Sequence, residues 1–246
     1  MVERHVSRDA HGTSGKRAWL RPLAVGAALL LVAGVAARGT SYFIAVYFPD
    51  RPVAPDLLFE TLPHVPQLGY VADLGNVLAV ALLLVYAFRG NRREIPMMLA
   101  LFGVMQFTRA CMNVLTPLAS PLNGSPYYGI SSHVERALAS LASQVQNSGL
   151  YGAAVSRGVM NFAQNGEFPS GHMATVFLCM LLVDKAKSPR IRVAMAVLVV
   201  AECFALLMSH QHYSIDVVGG LMLSYIVYHE YREGTRFSWI KRLVTV

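Results

Sequence analysis

Long apolar stretches alternate with short polar and basic ones along most of the chain. Six apolar runs are read, at roughly 22–48, 69–88, 95–115, 172–184, 193–209 and 214–230. About 20 helical residues cross the hydrocarbon of a bilayer, and a helix satisfies its own backbone hydrogen bonds there. The pattern therefore predicts an all-α protein, a bundle of six transmembrane helices. The fourth run is short for a span unless it extends at either end, and Arg38 interrupts the first.

The connections differ in character. The first outer loop, about 49–68, carries Pro49, Pro52, Pro55, Pro63 and Pro66 and is too polar and broken to span. The longest connection, about 116–171, holds Ser132 and Glu135 at capping-box spacing. Val134, Ala137, Leu138, Leu141, Ala142 and Val145 then recur at helical spacing. An extra helix is expected there, between the third and fourth spans, either packed at the interface or simply solvated. Asn123-Gly124-Ser125 is a glycosylation triplet, meaningful only in a host that modifies it.

Composition agrees with the pattern. Only 14% of residues are charged, where a soluble domain has about a quarter. The net charge of +7 does not point to nucleic acid, because its distribution is that of a membrane topology. Arg4, Arg8, Lys16, Arg17 and Arg21 precede the first run; Arg89, Arg92 and Arg93 follow the second. Lys185, Lys187, Arg190 and Arg192 follow the fourth, and Arg232, Arg236, Lys241 and Arg242 the sixth. With six spans these 16 of 21 basic residues share one side, so both termini are expected in the cytoplasm. The expected organisation is a basic tail over 1–21, a membrane catalytic domain over 22–230 and a second basic tail over 231–246. The alternative for the first run is a cleaved signal peptide with Val35-Ala36-Ala37 at its cleavage site, which would leave five spans. Cys111, Cys179 and Cys203 lie in apolar runs without metal-site spacing and read as packing residues.

Two segments carry candidate chemistry. Phe168-Pro169-Ser170-Gly171-His172 leads into the fourth run, and His210-Gln211-His212-Tyr213-Ser214-Ile215-Asp216 leads into the sixth. Ser170 is placed to cap a helix whose N-terminal N–H groups favour phosphate. His212 and Asp216 are four apart, on one face of a helical turn. A carboxylate can hold one imidazole nitrogen and leave the other as nucleophile or base. The topology brings both segments to the outer face. Arg38, Asp73, Arg109 and Glu202 also fall in the outer halves of spans, where ionisable groups are costly and mark function by default. The bland alternative for them is mutual pairing.

On these residues the sequence resembles the sphingomyelin synthase family, a branch of the lipid phosphate phosphatase (type 2 phosphatidic acid phosphatase) superfamily. His212-Tyr213-Ser214-Ile215-Asp216-Val217 resembles that family's His-Tyr-Thr-x-Asp-Val signature, and Ser170-Gly171-His172 its Ser-Gly-His-Thr. Pro52-Val53-Ala54-Pro55-Asp56 resembles its proline-rich first-loop element; Arg109 with Thr116 resembles the end of its third-span motif, and Ser188-Pro189-Arg190 is also similar. The likeness runs from about Pro49 to Val218. Met173 replaces the family's Thr, Asn165-Gly166-Glu167 its Cys-Gly-Asp, and Gln106 its Tyr, and Arg92-Arg93 lies further from Arg109 than in the family. Phe168-Pro169-Ser170-Gly171-His172 is nearer the wider superfamily, although Leu206 and Thr116 stand where that superfamily has Arg.

The resemblance implies His212 as nucleophile, Asp216 as its orienting partner and His172 as acid and base. It implies phosphoryl or substrate contacts from Arg109, Ser170, Gly171, Asp73 and His210. The implied function is a membrane lipid phosphotransferase working through a phosphohistidine. It would move a phospho-alcohol head group from a glycerophospholipid donor to a lipid-alcohol acceptor such as ceramide, without metal or cofactor. A lipid phosphate phosphatase using water is the alternative enzyme. A metal-binding or transport protein using His172, His210, His212 and Asp216 is the alternative outside catalysis. Oligomeric state stays open.

Overall fold

The computed structural model describes residues 11–48, 51–121, 168–234 and 237–244. The helix expected near 132–145, the Asn123 triplet and Asn165-Gly166-Glu167 lie outside these residues. Among the described residues the protein is helical, without strands. The helices are α1 (His11–Tyr47), α2 (Leu57–Thr61), α3 (Leu68–Phe88), α4 (Ile95–Leu115), α5 (Gly171–Leu182), α6 (Pro189–Met208), α7 (Ser214–Arg232) and α8 (Ser238–Val244).

Each of the six apolar runs falls on a helix. Among the described residues four helical segments are long and apolar enough to cross a membrane: Trp19–Ile44, Leu68–Phe88, Arg92–Leu115 and Pro189–Met208. Local sequence explains their ends. Pro96 and Pro189 sit in the first turns of α4 and α6, where a missing N–H costs nothing. Gly90, with φ 123°, supports the turn after α3.

α5 is the short one, at 12 residues. It lies among α3, α4, α6 and α7, and Met173, Ala174, Val176, Leu178 and Cys179 are fully buried. Its surroundings are protein rather than lipid, so it need not match the bilayer thickness. Its C-terminal carbonyls are capped from α6, where the Arg192 guanidinium donates to Met180 O and to Val183 O, the latter at 3.1 Å. α7 is 19 residues long, but His229, Glu230 and Arg232 dilute its apolar character toward its end.

α1 is peripheral and packs mainly on α4. The two helices approach closely at small residues: a Cβ on Gly103 would lie 2.8 Å from the Leu29 carbonyl carbon, and one on Gly26 2.6 Å from Pro96 O. Two short helices were not expected from the sequence. α2 lies inside the proline-rich loop and is capped by Asp56. α8 lies in the C-terminal tail, with Ile240 and Val244 buried beside Ala100.

The bundle has two chemically distinct ends. One carries Arg89, Arg92, Arg93 and Lys187, with Lys187 paired to Glu94 at 2.9 Å. The other gathers the starts of α3, α5 and α7 and the ends of α4 and α6, and there the candidate residues meet.

Candidate active site

α5 begins where Ser170, fully buried, accepts a hydrogen bond on Oγ from Met173 N at 3.3 Å. This places His172 in the first turn. Its Nε2 lies 2.8 Å from Asp73 Oδ1, at the start of α3. A carboxylate on one ring nitrogen fixes the imidazole, leaving Nδ1 as the nitrogen that can serve a substrate.

His212 sits in the turn between α6 and α7. Its Nδ1 is 3.6 Å from Asp216 Oδ2, a charge contact longer than a hydrogen bond. Asp216 is fully buried, and Oδ2 accepts from Tyr213 N at 2.9 Å. The carboxylate therefore holds the turn in place and faces the imidazole from the side opposite Nε2.

The two motifs are joined directly. Ser170 N donates to Asp216 O at 2.9 Å, and the His172 and His212 rings stand edge to face with centroids 6.2 Å apart. A single phosphoryl group can thus be reached by both imidazoles. This closeness depends on Gly219-Gly220 in α7. A Cβ on Gly220 would lie 2.8 Å from Ser170 O, and one on Gly219 would lie 2.6 Å from the Phe168 ring. Ser224 Oγ, one turn further on, donates to Ala174 O at 2.7 Å and extends the contact along α5.

Arg109 reaches the same place from α4. Its Nε donates to Pro169 O at 2.8 Å. The guanidinium lies against Gly171, where a Cβ would be 2.8 Å from Cζ. A fixed cation over the first turn of α5 adds to the positive end of the helix, a combination suited to phosphoryl oxygens.

Of the other ionisable residues flagged in the spans, Glu202 joins the site and Arg38 does not. Glu202 is 1% exposed on α6, within electrostatic reach of Asp73 and His212, and its carboxylate makes no hydrogen bond among the described residues. Gly75 makes room for it: a Cβ there would be 2.5 Å from Oε2. Arg38 instead lines an apolar groove of about 770 Å³ between α1 and α4, with Gly34, Gly39 and Leu99.

His210 has a structural position of its own. It closes α6 with φ 53°, a left-handed conformation. His210 N bonds Leu207 O at 3.1 Å and Gln211 N bonds Leu206 O at 3.2 Å, the paired bonds of a Schellman ending. Its ring is stacked between Phe59 at 4.2 Å and His64 at 4.4 Å. Burial and the neighbouring His64 hold its pKa below the usual histidine value, against an opposing pull from Asp56.

Sequence reasoning passed over the residues that bind the first loop to this turn. Ser214 N donates to Asp56 Oδ2 at 2.5 Å, and Tyr213 Oη accepts from Ala54 N and donates to Ala119 O, each at 3.1 Å. Asp56 ends the proline-rich element, and that is the signal that could have pointed to it. Among the described residues no three His, Cys, Asp or Glu side chains are grouped to hold a metal.

The arrangement is two carboxylate-held imidazoles facing each other beside an arginine and a helix N-terminus. The family model of the PAP2 superfamily matches residues 57–229, which include all of these elements. No curated protein matches the chain.

Proposed function

The chain belongs to the PAP2 superfamily, and from that premise we propose that it is a membrane lipid phosphotransferase. Superfamily membership carries the coarse statement, a lipid enzyme of the phosphatase or phosphotransferase type. The finer reading is that it moves a phospho-alcohol head group from a glycerophospholipid to a lipid alcohol such as ceramide. The observation that carries the chemistry is the pair of rings 6.2 Å apart, each beside its own carboxylate.

In the first half-reaction His212 Nε2 attacks phosphorus. The new P–N bond forms as the bond from phosphorus to the diacylglycerol oxygen breaks. His172 gives that oxygen a proton through Nδ1, with Asp73 on its other nitrogen. In the second half-reaction the acceptor hydroxyl oxygen attacks phosphorus, its proton passes to His172 and the P–N bond breaks. Arg109 and the N–H groups after Ser170 stabilise the oxygens in both transition states. Asp216 stabilises the charge that His212 gains.

Six spans, cytoplasmic termini and an exoplasmic site complete the proposal. They are supported by the position of the catalytic candidates at the end of the bundle opposite Arg89, Arg92, Arg93 and Lys187.

The test is purified protein in liposomes with head-group-labelled phospholipid, with and without ceramide or diacylglycerol, beside His212→Ala. Label on the second lipid, lost in the variant, supports transfer. Release of water-soluble product alone assigns a phosphatase or phospholipase C-like hydrolase. No turnover, with the variant indistinguishable from the parent, removes the catalytic reading.

A further inference from the structure

Transferase and hydrolase chemistry share one phosphorylated imidazole and differ in what reaches it next. The deciding feature is therefore whatever covers His212. Its side chain is 10% exposed, against 22% for His172. The first outer loop touches the His212 turn on both sides. Before it, Val65 N donates to Met208 O at 2.7 Å, and Phe59 and His64 sandwich the His210 ring. After it, Asp56 Oδ2 takes Ser214 N, while Oδ1 takes Leu58 N at 2.9 Å and starts α2. One carboxylate thus fixes both the clamp's own helix and the start of α7. Tyr213 Oη ties Ala54 and Ala119 together above the same turn.

The outer surface of this segment is mixed, with Glu60, Thr61 and His64 exposed beside apolar side chains. Leu57 is 74% exposed, with Val53 and Leu58 also exposed. These apolar side chains suit contact with lipid.

We propose that residues 51–66 form a fixed clamp, closed by the Phe59–His210–His64 stack and by Asp56, that keeps water from phosphorylated His212 and so favours a lipid alcohol as acceptor. This rests on the phosphotransferase reading. The clamp residues are positioning residues: they hold the turn and exclude water without touching phosphorus. When the clamp opens, the P–N bond still breaks, but the incoming oxygen is that of water and the product is the free phospho-alcohol.

The experiment uses the full chain in liposomes containing head-group-labelled phosphatidylcholine, phosphatidylethanolamine or phosphatidylglycerol, with ceramide as acceptor. Labelled acceptor lipid and water-soluble label are counted together. Phe59→Ala is expected to lower the ratio of transfer to hydrolysis about tenfold while total donor consumption falls less than threefold. Phe59→Tyr should restore the ratio, and Glu60→Gln, exposed on the same helix and outside the ring stack, should leave it unchanged. Should Phe59→Ala fail to accumulate, His64→Ala decides, because His64 is exposed and its loss leaves the core intact. A parental ratio retained in these ring variants, with donor still consumed, overturns the clamp alone. A parent that only hydrolyses overturns both the clamp and the phosphotransferase reading.

Discussion

Two helix pairs in this protein are drawn together at glycines, to different ends. In the α1–α4 pair, Gly26 and Gly103 let apolar helices meet backbone to backbone, and what they bury is lipid-like surface. In the α5–α7 pair, Gly220 brings α7 against Ser170 and Ala174, and Gly171 opposite makes room for the Arg109 guanidinium. The first arrangement supplies cohesion between spans. The second sets the distance between two histidines. The same residue type thus stabilises in one place and positions chemistry in the other, and substitutions can separate the two.

Gly220→Ala should have the largest effect on activity. Its Cβ would meet backbone at 2.8 Å and 3.1 Å, so the two motifs must separate. Reacting groups are sensitive to displacements near 1 Å, so a loss on the order of 100-fold in turnover is expected, with about 1–3 kcal/mol of stability lost as well. Gly171→Ala comes next. Its Cβ meets only the end of a flexible side chain, so Arg109 shifts and the fold stays; about 10-fold lower turnover with little change in thermal midpoint is expected. In Gly103→Ala the pattern reverses. Overpacking against Leu29 and Leu30 should cost about 1–3 kcal/mol, read in thermal unfolding, while turnover per folded molecule stays at the parental value. Gly34→Ala, where a Cβ meets nothing within 4 Å, is the control and should change neither.

A smaller effect follows from pH. The pKa of His210 is lowered in the folded protein from an ordinary value of 6.5. The unfolded chain therefore binds this proton first, and the clamp is fully stable above about pH 6.5, weakening as pH falls from there toward the lowered folded value. His64 adds to the repulsion and Asp56 opposes it. Proteolysis of the first loop, or the transfer-to-hydrolysis ratio, should change below about pH 6.5 in the parent. It should change less in His64→Phe, which keeps a ring and removes a charge.

The long helices were legible in the sequence because an apolar run of about 20 residues fits little besides a membrane span. His172, His212 and Asp216 were legible because each lies beside a helix start or at one-turn spacing. α2 and α8 were not, since helices of one or two turns leave little periodicity. Nor could spacing show that Ser170 N meets Asp216 O, because that contact depends on Gly219-Gly220, which reads as ordinary small residues inside a span. Glu202 and Arg38 looked equivalent as ionisable residues in outer half-spans. They differ because α6 faces the site and the Arg38 stretch of α1 faces a groove. His210 belongs to a motif resembling a catalytic signature, yet its backbone ends α6 and its ring sits in the clamp.

The central claim is that His212 carries the phosphoryl group between donor and acceptor. It is tested most directly by mixing the parent protein, without acceptor lipid, with donor phospholipid labelled in the head-group phosphate, quenching at alkaline pH and mapping the modified peptide by mass spectrometry. Acid-labile phospho-alcohol is expected on His212, accumulating because the second half-reaction lacks its acceptor, and absent in His212→Ala. Label on any other residue, or donor turnover that persists in His212→Ala, would contradict it.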